Sequence, residues 1–321
     1  MPDSVDSPAP LSTTEPPPPY ISVIIPNGPA LLPAASVCVG SAHVTLPCCP
    51  IPTGPRNDGG MCTVVLSLEP AERVPLLLLG VRDELTDRPW LPPARHWPGS
   101  PLVGGLDEQA GGTWLAVQPD LPRLSCLLNG RGVPADPARR RSRGELPLRA
   151  AADGAGTLKE LAGSPETLAA YDPFHLICAD PGSVWLLSWD GADAAVRELG
   201  PGTHMLTNAG YAYSSRRHKP ADPVTEPKAA HFGPKFAVAR PSADPALPPA
   251  TAWGEWLTLA AGDGLDPADE RAIIAGRVLP DGRIWGTTSV TLVGLAANGL
   301  RYDFQPHPGA VAGWYPVNTH S

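Results

Sequence analysis

Cys62 is the residue in this chain with the widest chemical reach. It follows Met61, and an initiator methionine before a small residue is removable. Translation from Met61 would therefore leave Cys62 with both a thiol and a free α-amine. An α-amine titrates at about pH 8, close enough to neutrality to serve as general base for its own side chain. Arg82-Asp83-Glu84 ends an apolar run. Arg82 offers the positive charge that lowers a thiol pKa. Asp83 could hold an α-ammonium by a charge-assisted hydrogen bond. Thr207-Asn208 ends a second apolar run, and an Asn amide can donate into an oxyanion hole. Each has a plainer counterpart: a buried strand cysteine, a solvated charged turn, a turn asparagine.

Other groups point less clearly to chemistry. Arg139, Arg140, Arg141 and Arg143, with Arg131 and Arg149 nearby, could bind an anion or form a solvated loop. His175 lies in an apolar strand and reads as a satisfied core residue. The six cysteines include no CxxC pair and no zinc-ligand spacing. There is no HExxH, GxSxG, P-loop, or GxGxxG at a strand–helix junction. The net charge of −8 and pI of about 5.5 argue against non-specific nucleic-acid binding, which needs a basic face. No apolar run reaches the ~20 residues of a membrane-spanning helix. The stretch before Arg56 lacks the basic start of a secretory signal, and reduced thiols fit a cytoplasmic protein.

The elements that must position these residues begin at a seam. Residues 1–60 hold 14 prolines, four acids and one basic residue, Arg56. Glu15-Pro-Pro-Pro-Pro-Tyr20 favours polyproline II, and the segment is expected to be disordered. Ile21–Ile25 could form a stray strand. Two histories fit: translation from Met61, which the composition favours, or a genuine pro-piece or tail. After the seam, apolar runs alternate with turns. Cys62–Leu68 and Val74–Arg82 predict a hairpin that returns Arg82 and Asp83 to Cys62. Thr113–Val117 and Arg123–Asn129, then Phe174–Ala179 and Ser183–Ser188, predict further strand pairs. His204–Thr207 is a short strand. Leu158–Tyr171 reads as a helix interrupted at Gly163-Ser-Pro165, and Trp253–Ala261 as another. Pro134–Ser142 and Lys219–Pro249 read as loops. Arg283–Leu295 and Leu300–Phe304 close the chain around Asn298-Gly299. About nine strands in hairpins with few helices predict an α+β fold of antiparallel sheets.

These segments together resemble the NRDE family, also called transport-and-Golgi-organisation protein 2. The matching pieces are Met61-Cys62, Val81-Arg-Asp-Glu84, Gly111-Gly-Thr-Trp-Leu-Ala-Val117, Ser142-Arg-Gly-Glu-Leu146 and Phe174-His-Leu-Ile-Cys-Ala-Asp180. Gly202-Thr-His-Met-Leu-Thr-Asn208 and Trp285-Gly-Thr-Thr-Ser-Val-Thr291 follow in family order. Residues 1–60 have no counterpart, because family members typically begin at Met-Cys. The resemblance extends to the Ntn-hydrolase superfamily and implies a four-layer αββα sandwich over 61–321. It implies Cys62, Arg82, Asp83 and Asn208 as catalytic residues, with Glu84, Trp114, Arg143 and Thr288 at the periphery. Two departures stand out. Val81 replaces the motif's Asn, and Gly286-Thr-Thr288 replaces a Gly-Thr-Arg segment that would supply a second Arg.

Three functions follow as expectations. The first is a cysteine hydrolase of a small linear amide, needing no cofactor. The second is a carrier of a hydrophobic ligand, lipid or haem, with Cys62, His204 or His175 as haem ligands. The third is a folded protein with a degenerate site, retained for interactions.

Overall fold

In the computed structural model, the described residues are 62–216, 226–308 and 313–319, with the backbone alone of 35–39 and 42–46. The expected disorder of 1–60 and the stray strand at Ile21–Ile25 otherwise fall outside them. Strands β1 (Ala35–Val39) and β2 (Ala42–Leu46) pair as an antiparallel hairpin.

The main body opens with the expected hairpin, β3 (Thr63–Leu68) and β4 (Leu76–Leu85). Next come β5 (Trp90–Ala94), β6 (Val103–Asp107), β7 (Leu115–Gln118) and β8 (Arg123–Asn129). Helices α1 (Leu146–Asp153), α2 (Gly156–Ala162) and α3 (Pro165–Leu168) follow. Then come β9 (Phe174–Asp180), β10 (Ser183–Trp189), β11 (Ala194–Leu199), β12 (Gly202–Thr207) and β13 (Gly210–Ser214). Helices α4 (Pro227–Val238), α5 (Pro249–Trp253) and α6 (Glu255–Ala260) precede β14 (Gly276–Val278), β15 (Ile284–Ala296), β16 (Gly299–Pro306) and β17 (Tyr315–Pro316).

The fold is α+β with two large antiparallel sheets. One runs β13-β12-β3-β4-β15-β16-β17, with β14 added on β15; the other runs β11-β10-β9-β8-β7-β6-β5. Alternation along each strand divides the apolar residues by face. Val64, Leu66, Leu76 and Leu78 of the first sheet share a buried cluster with Leu115, Leu124, Ile177 and Leu186 of the second. Val65, Leu79, Val81 and Val290 instead join Phe232, Phe236, Trp253 and Trp256 of α4 to α6. On the second sheet, Leu176 and Leu187 meet Leu146, Leu158 and Leu161 of α1 and α2.

The structure corrects several readings. The loop expected over Lys219–Pro249 contains the twelve-residue α4. Its apolar residues Ala229, Phe232 and Phe236 have helical spacing, but Gly233-Pro234 hides the period. Gly233 is needed there, since a Cβ would come within 2.5 Å of the Tyr213 ring. The expected helix at Trp253–Ala261 is two helices, α5 and α6, broken at Gly254 with φ 50°. Strands β5, β6, β11, β13 and β14, and helix α1, escaped the sequence reading. β11 is exposed at four of its six positions and β14 at all three, so neither shows an apolar pattern. Among the described residues, no helix is long and apolar enough to cross a membrane.

Candidate active site

Three neighbouring strands build the site, with β3 in the middle. Thr63 pairs with Val81 of β4 on one side and with Thr207 of β12 on the other. Continuing both antiparallel registers by one residue sets Cys62 across from Arg82 and from Asn208. The Sγ of Cys62 lies 3.4 Å from the backbone N–H of Asp83, which donates to it, and 3.4 Å from the Asp83 carbonyl, to which it donates. The hairpin therefore returns Arg82 and Asp83 to Cys62 as expected.

Strand alternation then sends these side chains to opposite faces. Cys62 and Arg82 face the second sheet. With Val64, Leu115, Leu127 and Leu128 they line a small, mainly apolar pocket of about 20 Å³, with Trp114 also in its wall. The Arg82 guanidinium sits 4.5 Å from the Trp114 ring centroid. It donates to Thr288 Oγ1 at 2.8 Å and approaches Asp107 at 3.6 Å and Glu84 at 4.0 Å. Arg88 extends this network, with Nε 2.7 Å from Asp107.

Asp83 points the other way, among groups from the helical side. Thr287 donates to Asp83 Oδ1 at 2.6 Å and accepts from the Ala275 N–H at 2.9 Å. Asp83 Oδ2 is buried without a hydrogen-bond partner. Lys228, buried at the start of α4, donates to Thr63 Oγ1 at 3.3 Å. A β-bulge between Thr287 and Ser289 aligns β15 with these residues: Thr287 lies opposite Asp83, Ser289 opposite Arg82, and Thr288 is the extra residue. Thr288 thus clamps Arg82. Its hydroxyl accepts from the guanidinium and donates to the Arg82 carbonyl at 3.2 Å.

The electrostatics overturn one expectation. Arg82 does lower the Cys62 pKa, but burial and the charge of Asp83 outweigh it and push the thiol up to about 12. Asp83 is itself raised to about 6, because its own burial exceeds the opposing effects of Lys228, the Thr287 hydrogen bond, Arg82 and Arg277. At neutral pH the thiol is protonated and needs a base before it can attack.

The peripheral residues divide. Glu84 and Trp114 stand in the Arg82 network, and Thr288 holds Arg82. Arg143 donates to the Pro173 carbonyl at 2.6 Å, outside that network. Its motif neighbour Gly144 packs against Gly112, where a Cβ would fall 2.4 Å from the Gly144 carbonyl carbon; the two glycine motifs dock on each other beside Trp114. Two further members of the basic run are tied into the fold: Arg140 pairs with Asp172 at 3.3 Å and Arg141 with Glu145 at 2.6 Å, while Arg139 is exposed. Asn208 lies in the turn after β12, with the His175 ring against its backbone and against Gly210. His175 contacts Ser188 Oγ at 2.9 Å, and burial lowers its pKa to about 4. His204 has both ring nitrogens engaged, by Tyr211 and the Gly200 carbonyl.

Lys228, Thr287, Asp107 and Arg88 were missed from sequence. Only Thr287 carried a signal, as the middle residue of Gly286-Thr-Thr288.

The class defined so far is an α+β protein with a cysteine at the meeting of three strands of one antiparallel sheet, facing the other sheet. The family described as Transport and Golgi organisation 2 matches residues 61–230, more than half of the chain, and the chain belongs to that family. A search of curated proteins found no match.

Proposed function

We propose that the chain is a cysteine hydrolase of the Ntn type that cleaves the C–N bond of a small, non-peptide linear amide. One observation carries the reading: Cys62 Sγ accepts from the Asp83 N–H in the wall of a small apolar pocket, while Asn208 follows the paired strand on the other side. The three apolar clusters, one between the sheets and one on the outer face of each, support a four-layer αββα arrangement over 61–321.

The chemistry starts from a chain whose first residue is Cys62. Its α-amine takes the thiol proton as Sγ attacks the substrate carbonyl. The pairing of Thr63 with Val81 leaves residue 62 and Asp83 near each other at the same end of the hairpin, and the Asp83 carboxylate is assigned to stabilise the resulting ammonium. Asn208 and backbone N–H groups hold the oxyanion. Collapse breaks the C–N bond, and the leaving amine takes the proton. Water then hydrolyses the thioester to the free acid. The acyl portion packs against the apolar residues beside Cys62, which must part to admit it because their pocket is only about 20 Å³, and no cofactor is needed.

A second reading is a carrier of a lipid or haem, supported by the apolar lining alone, since the pocket of about 20 Å³ must open to admit either. The two separate on one variant. Under the hydrolase reading, Cys62→Ala abolishes amide turnover. A rate unaffected by Cys62→Ala contradicts it, and retained ligand binding with no turnover by either protein favours the carrier.

A further inference from the structure

We infer that Gly80 sets the acyl selectivity of this site: the side chain it lacks leaves a slot beside Cys62 that takes the methyl of an acetyl group, so the substrates are N-acetyl amides. The inference rests on the hydrolase reading for the identity of the guest as an acyl group. The slot itself belongs to the packing of the two sheets.

Strand β4 sends every second residue toward the second sheet, and on that row Leu78 and Arg82 flank Gly80. Gly80 pairs with Val64 of β3 on one side and with Thr291 of β15 on the other. It therefore lies in the interior of the sheet, where a glycine weakens a strand and marks the close approach of a ligand or another backbone. Neither conformation nor packing demands it. Its φ lies outside the left-handed region. A Cβ there would meet the side chains of Leu78 at 3.6 Å, Leu115 at 3.7 Å and Thr291 at 3.9 Å, all ordinary van der Waals contacts. At Gly105 and Gly112, by contrast, a Cβ would fall 2.2 Å and 2.4 Å from existing atoms. The nearest atoms to the empty place on Gly80 are side chains, so no second backbone fills it. The place is open instead. Gly80 is half-buried between Leu79 at 0% and Val81 at 3% exposure, and it lines the pocket with Cys62, Val64, Trp114 and Leu115. The pocket's volume of about 20 Å³ is little more than the ~10–15 Å³ that one water needs, which is room for one methyl-sized group. An acetyl group on Cys62 seats its methyl there with the least displacement of the walls. Each further carbon pushes packed side chains apart, at a cost of roughly 5-fold or more in rate.

The test is thiol exchange at Cys62 in the full chain with alkyl methanethiosulfonates, which transfer an S-alkyl group to the thiolate and release methanesulfinate. The mixed disulfide Cys62–S–S–R carries R about where the thioester Cys62–S–CO–R would carry it. Methyl and butyl reagents draw on the same thiolate, so the ratio of their rates does not depend on the thiol pKa. Mass spectrometry of the Cys62 peptide reads both rates. After division by the rates of free cysteine, the methyl reagent should be at least ~10-fold faster than the butyl one. Gly80→Ala should have a urea midpoint no lower than the parent's, because it removes a glycine from a strand and its Cβ meets only ordinary contacts. It should slow the methyl reagent at least ~5-fold, since the added methyl takes the slot. Equal relative rates for the two reagents, or an unchanged methyl rate in Gly80→Ala, overturn the inference. Should Gly80→Ala fail to fold, Leu115→Val carries the test: it trims the opposite wall and should raise the butyl rate relative to the methyl rate by roughly 5-fold. No change in that ratio also overturns the inference. None of these readouts needs amide turnover, so they decide the slot even if the hydrolase reading fails. If that reading holds, kcat/KM for an N-acetyl amide exceeds that for its N-pentanoyl counterpart and falls in Gly80→Ala, and a preference for the pentanoyl amide overturns the inference.

Discussion

Cys62 and Asp83 are coupled through the backbone of one and the side chain of the other: Sγ is 3.4 Å from both the N–H and the carbonyl of Asp83. The Asp83 carboxyl meanwhile lies on the opposite face of the sheet, against Thr287. A single residue thus touches the nucleophile with its main chain and the helical side with its charge. A thiol and an amine borne by residue 62 would meet different parts of the same partner.

The thiol should be poorly reactive as the chain stands. Burial and Asp83 raise Cys62 to about 12. Alkylation by iodoacetamide at pH 8 should be at least ~100-fold slower than for a free cysteine, since only the thiolate reacts. The rate should keep rising about tenfold per pH unit beyond pH 9, where that of a free cysteine levels off. Mass-spectrometric quantification of the Cys62 peptide against time checks this, and labelling as fast as free cysteine at pH 8 contradicts it.

Asp83 should impose a pH dependence on stability. Its folded pKa of about 6 lies above the ordinary 3.8. A raised carboxyl favours folding most at low pH, and that contribution is lost as pH rises through the folded pKa. The stability difference between the parent and Asp83→Asn should therefore shift against the parent by about 2–3 kcal/mol between pH 4 and pH 7. Urea unfolding at the two pH values measures it, and a difference independent of pH would contradict the assignment.

Arg82 should tolerate neither truncation nor exchange for Lys. Truncation to Ala leaves Asp107 and Glu84 without this partner and removes the cation from Trp114. A loss of about 3 kcal/mol is expected in chemical denaturation. Arg82→Lys keeps the charge but not the planar fork that reaches Thr288 while stacking on Trp114, so it should recover less than half of that loss. Full recovery by Lys would show that charge alone matters.

Gly105 should be needed for the pocket wall. A Cβ there would fall 2.2 Å from the Trp114 ring. Gly105→Ala should cost about 1–3 kcal/mol through overpacking, and Trp114→Leu should relieve part of it. Additive losses in the double variant would mean that the two positions do not meet.

The sequence made the β3–β4 hairpin legible because its strands are nearly all apolar, and that placed Arg82 and Asp83 beside Cys62. Asn208 was legible only as the residue after an apolar strand; its place across from Cys62 depends on a β3–β12 pairing between residues far apart in the chain. Lys228 was hidden because Gly233-Pro234 interrupts the pattern of α4. The sign of the thiol shift was misread for a different reason. Sequence shows that a cation is near, but not how deeply the thiol is buried.

The central claim is that the Cys62 amine activates the Cys62 thiol. The direct test compares two preparations of the same domain, one beginning at Cys62 and one with Met61 retained, against a panel of small amides, with acyl adducts mapped by intact mass. The account predicts turnover and a thioester on Cys62 only where the amine is free, and neither in Cys62→Ala. Equal turnover with Met61 retained, or an adduct that persists in Cys62→Ala, would contradict it.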